Sequence, residues 1–273
     1  MTVYPNVKLN LGLRVLGRRP DGYHELETLF VPCDAFHDRL EISPSESFSL
    51  KIVGSSYGNW PAEKDLVAKA WMLLRDEFGI DPVSVLLEKN SPVGAGLGGG
   101  SADAAFMIRA LNDIFSLELD DAALAALAAR LGSDCPFFIY NSPMFATGRG
   151  EILEPFALDL SGYRIEVAIP EGVAVSTAEA YAGLDAALPS CAGSDVAKLA
   201  GAGPARVQPL PLRKALALPV AQWRDAVVND FERSVFPTHP EIAALKAQMY
   251  TRGAVYAAMS GSGSAVFGLF PAA

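Results

Sequence analysis

Residues 92–105 read PVGAGLGGGSADAA. Five of the first nine are glycine, and a serine, an aspartate and a run of small helix formers follow. The preceding DPVSVLLEK (81–89) reads as a strand, and SADAAFMIRALNDIF (101–115) has helical spacing. Strand, glycines and helix in that order make a phosphate-binding arrangement. Glycine lets the backbone approach a ligand closely and take positive φ. A helix start adds unpaired N–H groups and the positive end of a dipole. Ser101 offers a further hydroxyl donor or an N-cap.

Three phosphate motifs compete for this stretch. Walker A fails, because no lysine follows the last glycine. The dinucleotide fingerprint G-x-G-x-x-G is met literally by Gly94, Gly96 and Gly99, with Asp120 about twenty residues on. That fingerprint needs its acid at the end of the next strand, whereas Asp120 opens the helical run DDAALAAL. Its first strand should also open the domain, yet a long strand-bearing segment precedes this one. The third pattern, P-x-x-x-G-L-G-[SG]-[SG]-[SA]-A, takes in Pro92, Gly96, Leu97, Gly98, Gly99, Gly100 and Ala102. Without a ligand the stretch would be only a glycine-rich turn.

Upstream, NVKLNLGLRV (6–15) alternates and predicts a half-buried strand. Val7, Leu9, Leu11, Leu13 and Val15 take one face; Lys8, Asn10, Gly12 and Arg14 take the other. Pro20, Asp21 and Gly22 form a turn signal before the strand HELETLFVP (24–32). DRLEIS and FSLKIV read as strands, and EKDLVAKAWMLLRDEFG as a helix stopped at Gly79. LDDAALAALAARLG predicts another helix, and SDCPFFIY a turn leading into a strand.

A second half begins near residue 155, giving expected domains at 1–154 and 155–273. GYRIEVAIP predicts a strand, and STAEAYAGL, VVNDFERSVF and HPEIAALKAQMYTRG predict helices. Residues 188–212, small and proline-rich, read as mobile with room for one short helix. AVYAAMSGSGSAVFGLF predicts a hairpin around a Ser-Gly linker.

The 273 residues are 51% apolar and 19% charged, a globular composition. A formal charge of -9 argues against non-specific binding to nucleic acid or an anionic membrane. Any anionic substrate must be recruited by local donors. Cys33, Cys135 and Cys191 are odd in number and form no CxxC pair, so neither a disulfide framework nor a zinc site is expected. Cys135, beside an apolar run, reads as a buried thiol in preference to a nucleophile. MTVYPNVKLNLGLRV lacks a cationic head followed by a long apolar run, and no run could span a bilayer. A cytoplasmic protein, monomer or homodimer, is expected.

With its glycine stretch, the sequence resembles the GHMP kinase superfamily, whose corresponding loop wraps the triphosphate of ATP. KLNLGLRVLGRRPDGYHELETLF, PVGAGLGGGSADAA, LGSDCPFF, NDFE and MSGSGSAVFGLF, in that order, are similar to its diphosphocytidyl-methylerythritol kinase branch. The resemblance runs over nearly the whole chain except 188–212. It implies an α+β fold of two domains: an N-terminal α/β domain holding the ATP loop, and a C-terminal ferredoxin-like domain. The active site would lie in the cleft between them. It implies transfer of phosphate from ATP, with Mg2+, to the 2-hydroxyl of a cytidine diphosphate-linked methylerythritol.

Carried over residue by residue, the resemblance makes Asp134 and Lys8 the catalytic pair. Asp134 would accept or orient the substrate hydroxyl proton. A lysine beside it favours the ionised carboxylate, so the pair acts more through orientation and charge than by full proton abstraction. The ATP loop would be Pro92, Val93, Gly94, Ala95, Gly96, Leu97, Gly98, Gly99, Gly100, Ser101 and Ala102. Tyr23 and His24 would take the cytidine, by stacking and by hydrogen bonding to the base edge. Asn10 would bond the polyol. Thr177 would face the substrate, or else cap its helix. Gly261 and Gly263 would bring a second glycine turn against the first, or else form a plain hairpin turn. Dedicated metal ligands are not visible, since Mg2+ leans on phosphates and waters. Asp65 stands where the branch usually has asparagine. An ionised aspartate only accepts hydrogen bonds, so the adenine contact there is in question.

Overall fold

The computed structural model describes residues 1–56, 58, 60–187 and 210–272. The chain is α+β. Its strands are β1 (Thr2–Val3), β2 (Asn6–Arg18), β3 (His24–His37), β4 (Arg39–Pro44), β5 (Ser49–Val53), β6 (Val83–Glu88), β7 (Met144–Thr147), β8 (Ile152–Pro155), β9 (Tyr163–Ala168), β10 (Tyr256–Met259) and β11 (Val266–Pro271). Its α-helices are α1 (Leu66–Phe78), α2 (Gly99–Ile114), α3 (Asp121–Ala129), α4 (Cys135–Tyr140), α5 (Thr177–Ala187), α6 (Leu212–Leu216), α7 (Trp223–Ala226), α8 (Glu232–Val235) and α9 (Pro240–Thr251). The expected mobile segment from 188, with Cys191, lies outside the described residues through position 209.

The strands form three sheets, ordered β1-β4-β6-β5, β2-β3-β7-β8 and β10-β11-β9. In the first, β5 and β6 pair in parallel through α1, and the other pairs are antiparallel. Its apolar face packs under α1 to α4, where Leu40, Ile42, Val85 and Leu87 meet Val67, Leu74, Ile108 and Phe137. The third sheet carries the expected hairpin, with Met259 opposite Val266. Three of the four strands of a ferredoxin-like unit are thus present among the described residues.

β2 differs from the expected half-buried strand: residues 6–14 are buried on both faces. Val7, Leu9 and Leu11 pack with Phe267 and Leu269 of the hairpin. The opposite face, with Lys8 and Asn10, lies under the glycine loop, where the Lys8 amide donates to the Leu97 carbonyl (2.9 Å). A charged side chain, Lys8, and the amide of Asn10 are thereby carried into the interior.

Two other expectations are corrected. SDCPFFIY is a short helix, α4, and the next strand starts only at Met144. Pro136 sits in the first turn, where no amide partner is needed, and Phe137, Phe138 and Ile139 are all buried. A short run apolar on every side has neither period, so periodicity could not decide it. VVNDFERSVF is helical only over α8. Asn229 instead forms a parallel bridge to Leu13, which breaks the run. No helix among the described residues is long and apolar enough to cross a membrane.

Candidate active site

The glycine loop leaves β6, turns through Gly94, Gly96 and Gly98 at positive φ, and enters α2 at Gly99. Gly98 is the N-cap and no side chain caps the helix, so the first-turn amides remain available. Ser101 is the third helical residue and does not cap it. Gly96 has no substitute: at φ 77°, a Cβ there would stand 2.2 Å from the Ser260 carbonyl oxygen.

That approach is the meeting of the two glycine turns. Ser260 Oγ donates to the Gly96 carbonyl (3.0 Å), and the Ala265 amide donates to the Ala95 carbonyl (3.1 Å). The SGSGS segment is both a hairpin turn and the partner of the glycine loop.

Two hollows flank the loop. One of about 280 Å³ is lined by Pro92, Val93, Gly94, Ala95, Gly96, Gly98, Gly99, Gly100 and Ser101, with Trp60 and Asp65 at its side. Leu97 and Ala102 point inward and are buried in the cores. The other, about 1100 Å³, is lined by Lys8, Asn10, Tyr23, His24, Asp134 and Thr177. Gly96, Gly98 and Ser101 line both, so the loop is a shared wall. Every expected catalytic and substrate residue faces the larger hollow.

Lys8 Nζ lies 3.6 Å from Asp134 Oδ2 and donates to Asn10 Oδ1 at 2.5 Å. Burial pushes the Lys8 pKa below its ordinary value, against the opposing attraction of Asp134. Asn10 Nδ2 donates to Thr28 Oγ1 (3.0 Å). Both ends of the Asn10 amide are therefore engaged within the protein, and it acts on Lys8 more directly than on a polyol.

On the far side, His24 Nε2 meets Asp185 Oδ1 at 2.8 Å, and its ring stacks on Tyr181 with centroids 4.3 Å apart. Tyr23 is 57% exposed, with the Arg149 guanidinium 4.8 Å above its ring. Thr177 shares a hydrogen bond with Ser262 Oγ (2.8 Å). The cap of α5 falls to Ser176, whose Oγ accepts from the Glu179 amide.

Tyr181, Asp185 and Arg149 also line the larger hollow and were missed in the sequence. A signal for the first two existed: Thr177, Tyr181 and Asp185 are spaced by four, on one helix face. Arg149 had none beyond the turn glycines beside it.

Beneath the loop lies a buried ionic cluster. Lys89 donates to Asp38, to Asp103 Oδ2 (2.6 Å) and to Ser91 Oγ (3.2 Å). Asp38 also accepts from the amides of Asn90 and Ser91. Burial opposes charge on all three groups. Lys89 is nevertheless held above its ordinary pKa by the two carboxylates, and Asp38 below its own by Lys89. Burial pushes Asp103 well above 3.8, and its Oδ1 meets no partner among the described residues.

Asp65 caps α1 through the Val67 amide (2.9 Å) and accepts from Trp60 Nε1 (2.8 Å). Cys135 is fully buried, and burial pushes its thiol up to about 11, which leaves no thiolate to act as nucleophile.

Residues 65–142 match the family model for the GHMP kinases N terminal domain, and residues 213–273 that for GHMP kinases C terminal. A 4-diphosphocytidyl-2-C-methyl-D-erythritol kinase from Bacteroides thetaiotaomicron is 46% identical over 99% of this chain and 92% of its own. A relative of the same name from Parabacteroides distasonis is also 46% identical, over 99% and 92%. A crystal structure of 4-(cytidine 5'-diphospho)-2C-methyl-D-erythritol kinase superposes with a TM-score of 0.75 at 36% identity, covering 98% of this chain and 90% of that one. Methanococcus jannaschii mevalonate kinase superposes at 0.68 with 13% identity over 99% and 90%, a likeness of fold.

Proposed function

The chain belongs to the 4-diphosphocytidyl-2-C-methyl-D-erythritol kinases of the GHMP kinase family, and we propose that its two adjoining hollows carry the reaction. It is an ATP-dependent phosphotransferase. It moves a phosphoryl group to the 2-hydroxyl of 4-diphosphocytidyl-2-C-methyl-D-erythritol, giving the 2-phosphate and ADP, in non-mevalonate isoprenoid precursor biosynthesis.

One observation carries the assignment of residues. The Lys8–Asp134 pair faces a hollow whose wall is the phosphate loop itself. Phosphoryl transfer asks for positioning and for charge on the transferred group, and little covalent chemistry. The loop amides and the α2 start hold the triphosphate from one side. Lys8 supplies positive charge where the γ-phosphoryl meets the alcohol. Asp134 orients the 2-hydroxyl, and takes its proton only as the new oxygen–phosphorus bond forms and the bond to the leaving ADP breaks. Asn10 holds Lys8 in place.

Tyr23, His24 and Tyr181 surround the cytidine end, with Asp185 fixing the His24 ring. Arg149, over the Tyr23 ring, lines the same hollow and offers a cation to the diphosphate. In a chain of charge -9, this local cation answers the need for recruitment.

Mg2+ is proposed to arrive with the nucleotide. No cluster of three or more His, Cys, Asp or Glu able to hold a metal stands among the described residues. A cation held chiefly by phosphate oxygens and water fits that lining, and when bound it neutralises triphosphate charge. Two buried free thiols, Cys33 and Cys135, suit a reducing cytosol as the site of action.

The test is ADP release from ATP and Mg2+ with 4-diphosphocytidyl-methylerythritol, homoserine or mevalonate supplied separately. Turnover with the cytidine substrate alone, lost in Asp134→Asn, is expected. Turnover with another alcohol would overturn the cytidine assignment of Tyr23 and His24. Full turnover in Asp134→Asn would remove the aspartate from its role.

A further inference from the structure

NDFE, residues 229–232, stands between the two halves of the site, and each of its residues makes a tie. Asn229, 2% exposed, donates from Nδ2 to the carbonyls of both Met259 and Gly261, each at 2.8 Å. Its Oδ1 accepts from the Phe231 amide (3.0 Å). Asp230 Oδ2 accepts from the Val15 amide on β2 (2.9 Å), and Leu13 pairs on both sides of Asn229. The Phe231 ring meets Tyr181 edge to face at 4.7 Å. Glu232 Oε1 accepts from the Met259 amide (2.9 Å). The strand that carries Lys8 and the turn that abuts the phosphate loop are held by one four-residue hub.

The bond to Gly261 does something more specific. Residues 260–263 close a β-turn, with the Gly263 amide donating to the Ser260 carbonyl (3.0 Å). Gly261 has φ 56°, while Ser262 is not among the positive-φ residues, the pattern of a type II′ turn. Types I′ and II′ differ in how the central peptide, Gly261 to Ser262, is turned. In a trans peptide the C=O and the following N–H point to opposite sides. Holding the Gly261 carbonyl at Asn229 therefore turns the Ser262 N–H away from Asn229. Ser262 lines the larger hollow, and its amide meets no acceptor among the described residues.

We propose that Asn229 is a positioning residue for phosphoryl transfer: it fixes the Gly261–Ser262 peptide so that the Ser262 N–H faces the transferred phosphoryl group. A preset donor aimed at developing charge costs no reorganisation during reaction. Asn229 itself touches no reacting atom. This rests on the reading of the larger hollow as the transfer site.

The experiment compares wild type, Asn229→Asp, Asn229→Ser and Asp134→Asn in steady-state kinetics with ATP and the cytidine substrate, alongside thermal midpoints. Asp keeps the size and the acceptor for the Phe231 amide, but turns a carboxylate oxygen on two carbonyls. We expect kcat to fall about 100-fold, the scale of one lost preset donor, and both KM values to hold within about threefold, as for an interaction made in the transition state. Asn229→Ser, which keeps one donor, should recover part of that loss. If Asn229→Asp does not fold, the Ser variant decides alone, by a lowered kcat at unchanged KM. A folded variant with a lowered midpoint and unchanged kcat overturns the proposal and leaves a structural tie. So does an equal rise of both KM values at unchanged kcat. Full turnover in Asp134→Asn would remove the site reading and the proposal together, whereas an inactive Asp134→Asn beside unaffected Asn229 variants removes the proposal only.

Discussion

Lys8 Nζ stands 3.6 Å from Asp134 Oδ2, and the lysine is the buried member, its side chain 5% exposed against 32%. The ammonium has been desolvated and the carboxylate left at the mouth. Burial therefore places the Lys8 pKa below 10.5. Two consequences follow from the sign. First, kcat/KM must fall on an alkaline limb below pH 10.5, as the ammonium loses its proton. Lys8→Arg, which keeps its charge, should lose activity yet lack that limb. Second, the folded chain binds this proton less tightly than the unfolded one, so the charge costs stability below the folded pKa. That cost is relieved as pH rises through it. Lys8→Met should then lose turnover, and the wild-type thermal midpoint should gain on that of Lys8→Met as pH rises toward 10.5. A wild-type midpoint that falls relative to that of Lys8→Met over that range would refute the desolvation account.

The Lys89 cluster gives the opposite result on stability. Two buried carboxylates share one ammonium, and removing it leaves them uncompensated. Lys89→Met should cost about 3–5 kcal/mol, the usual effect of breaking a buried pair, read as a large fall in denaturation midpoint. The pH dependence separates the two acids. Asp38 is held below 3.8, so its contribution is present above 3.8 and is lost as pH falls through its folded value. Asp103 is raised by burial, so the folded state keeps its proton above 3.8, where the unfolded chain has released it. Stability then declines as pH rises through that window. Asp103→Asn should remove this decline while keeping the acid limb of Asp38. Identical midpoint profiles from pH 4 to 8 in wild type and Asp103→Asn would contradict it.

Much of this site was legible in the sequence because its parts announce themselves locally. The glycine loop is written in residues 94–100, and a period of two placed Lys8 and Asn10 on one face. What the period could not say is that this face is buried too, since burial depends on the loop and helices folded over it. α4 escaped because five consecutive buried residues, Cys135 to Ile139, have no period. Tyr181 and Asp185 were readable at spacing four from Thr177. The Asn229 tie was not, because its acceptors are backbone carbonyls about thirty positions away. Any residue supplies a carbonyl, so no side chain marks the partner.

Tyr23 and Tyr181 line the larger hollow from different elements, β3's entry turn and α5. Tyr181 already carries the His24 ring at 4.3 Å. Replacing it unseats the histidine as well as removing a stacking surface, whereas replacing Tyr23 removes an exposed ring under Arg149. Tyr23→Ala should raise KM for the cytidine substrate about tenfold, and Tyr181→Ala by more, since stacking on one ring contributes about 1–3 kcal/mol. KM for ATP should hold. Equal effects on both substrates, in either variant, would remove the stacking role.

Asp65 tests the nucleotide side. Its two oxygens are spoken for, one by the Val67 amide and one by the Trp60 indole. An aspartate so engaged is turned toward its own helix start and the Trp60 indole, and it cannot donate to a ring nitrogen. Its work is to cap α1 and to hold Trp60 at the side of the smaller hollow. Asp65→Asn should therefore leave KM for ATP within about threefold, since asparagine caps a helix as well as aspartate does. Asp65→Ala should lower stability by about 1 kcal/mol through the lost cap. The check is a nucleotide titration beside a denaturation curve. A large gain or loss of ATP affinity in Asp65→Asn, with the midpoint unchanged, would return Asp65 to direct contact with the base.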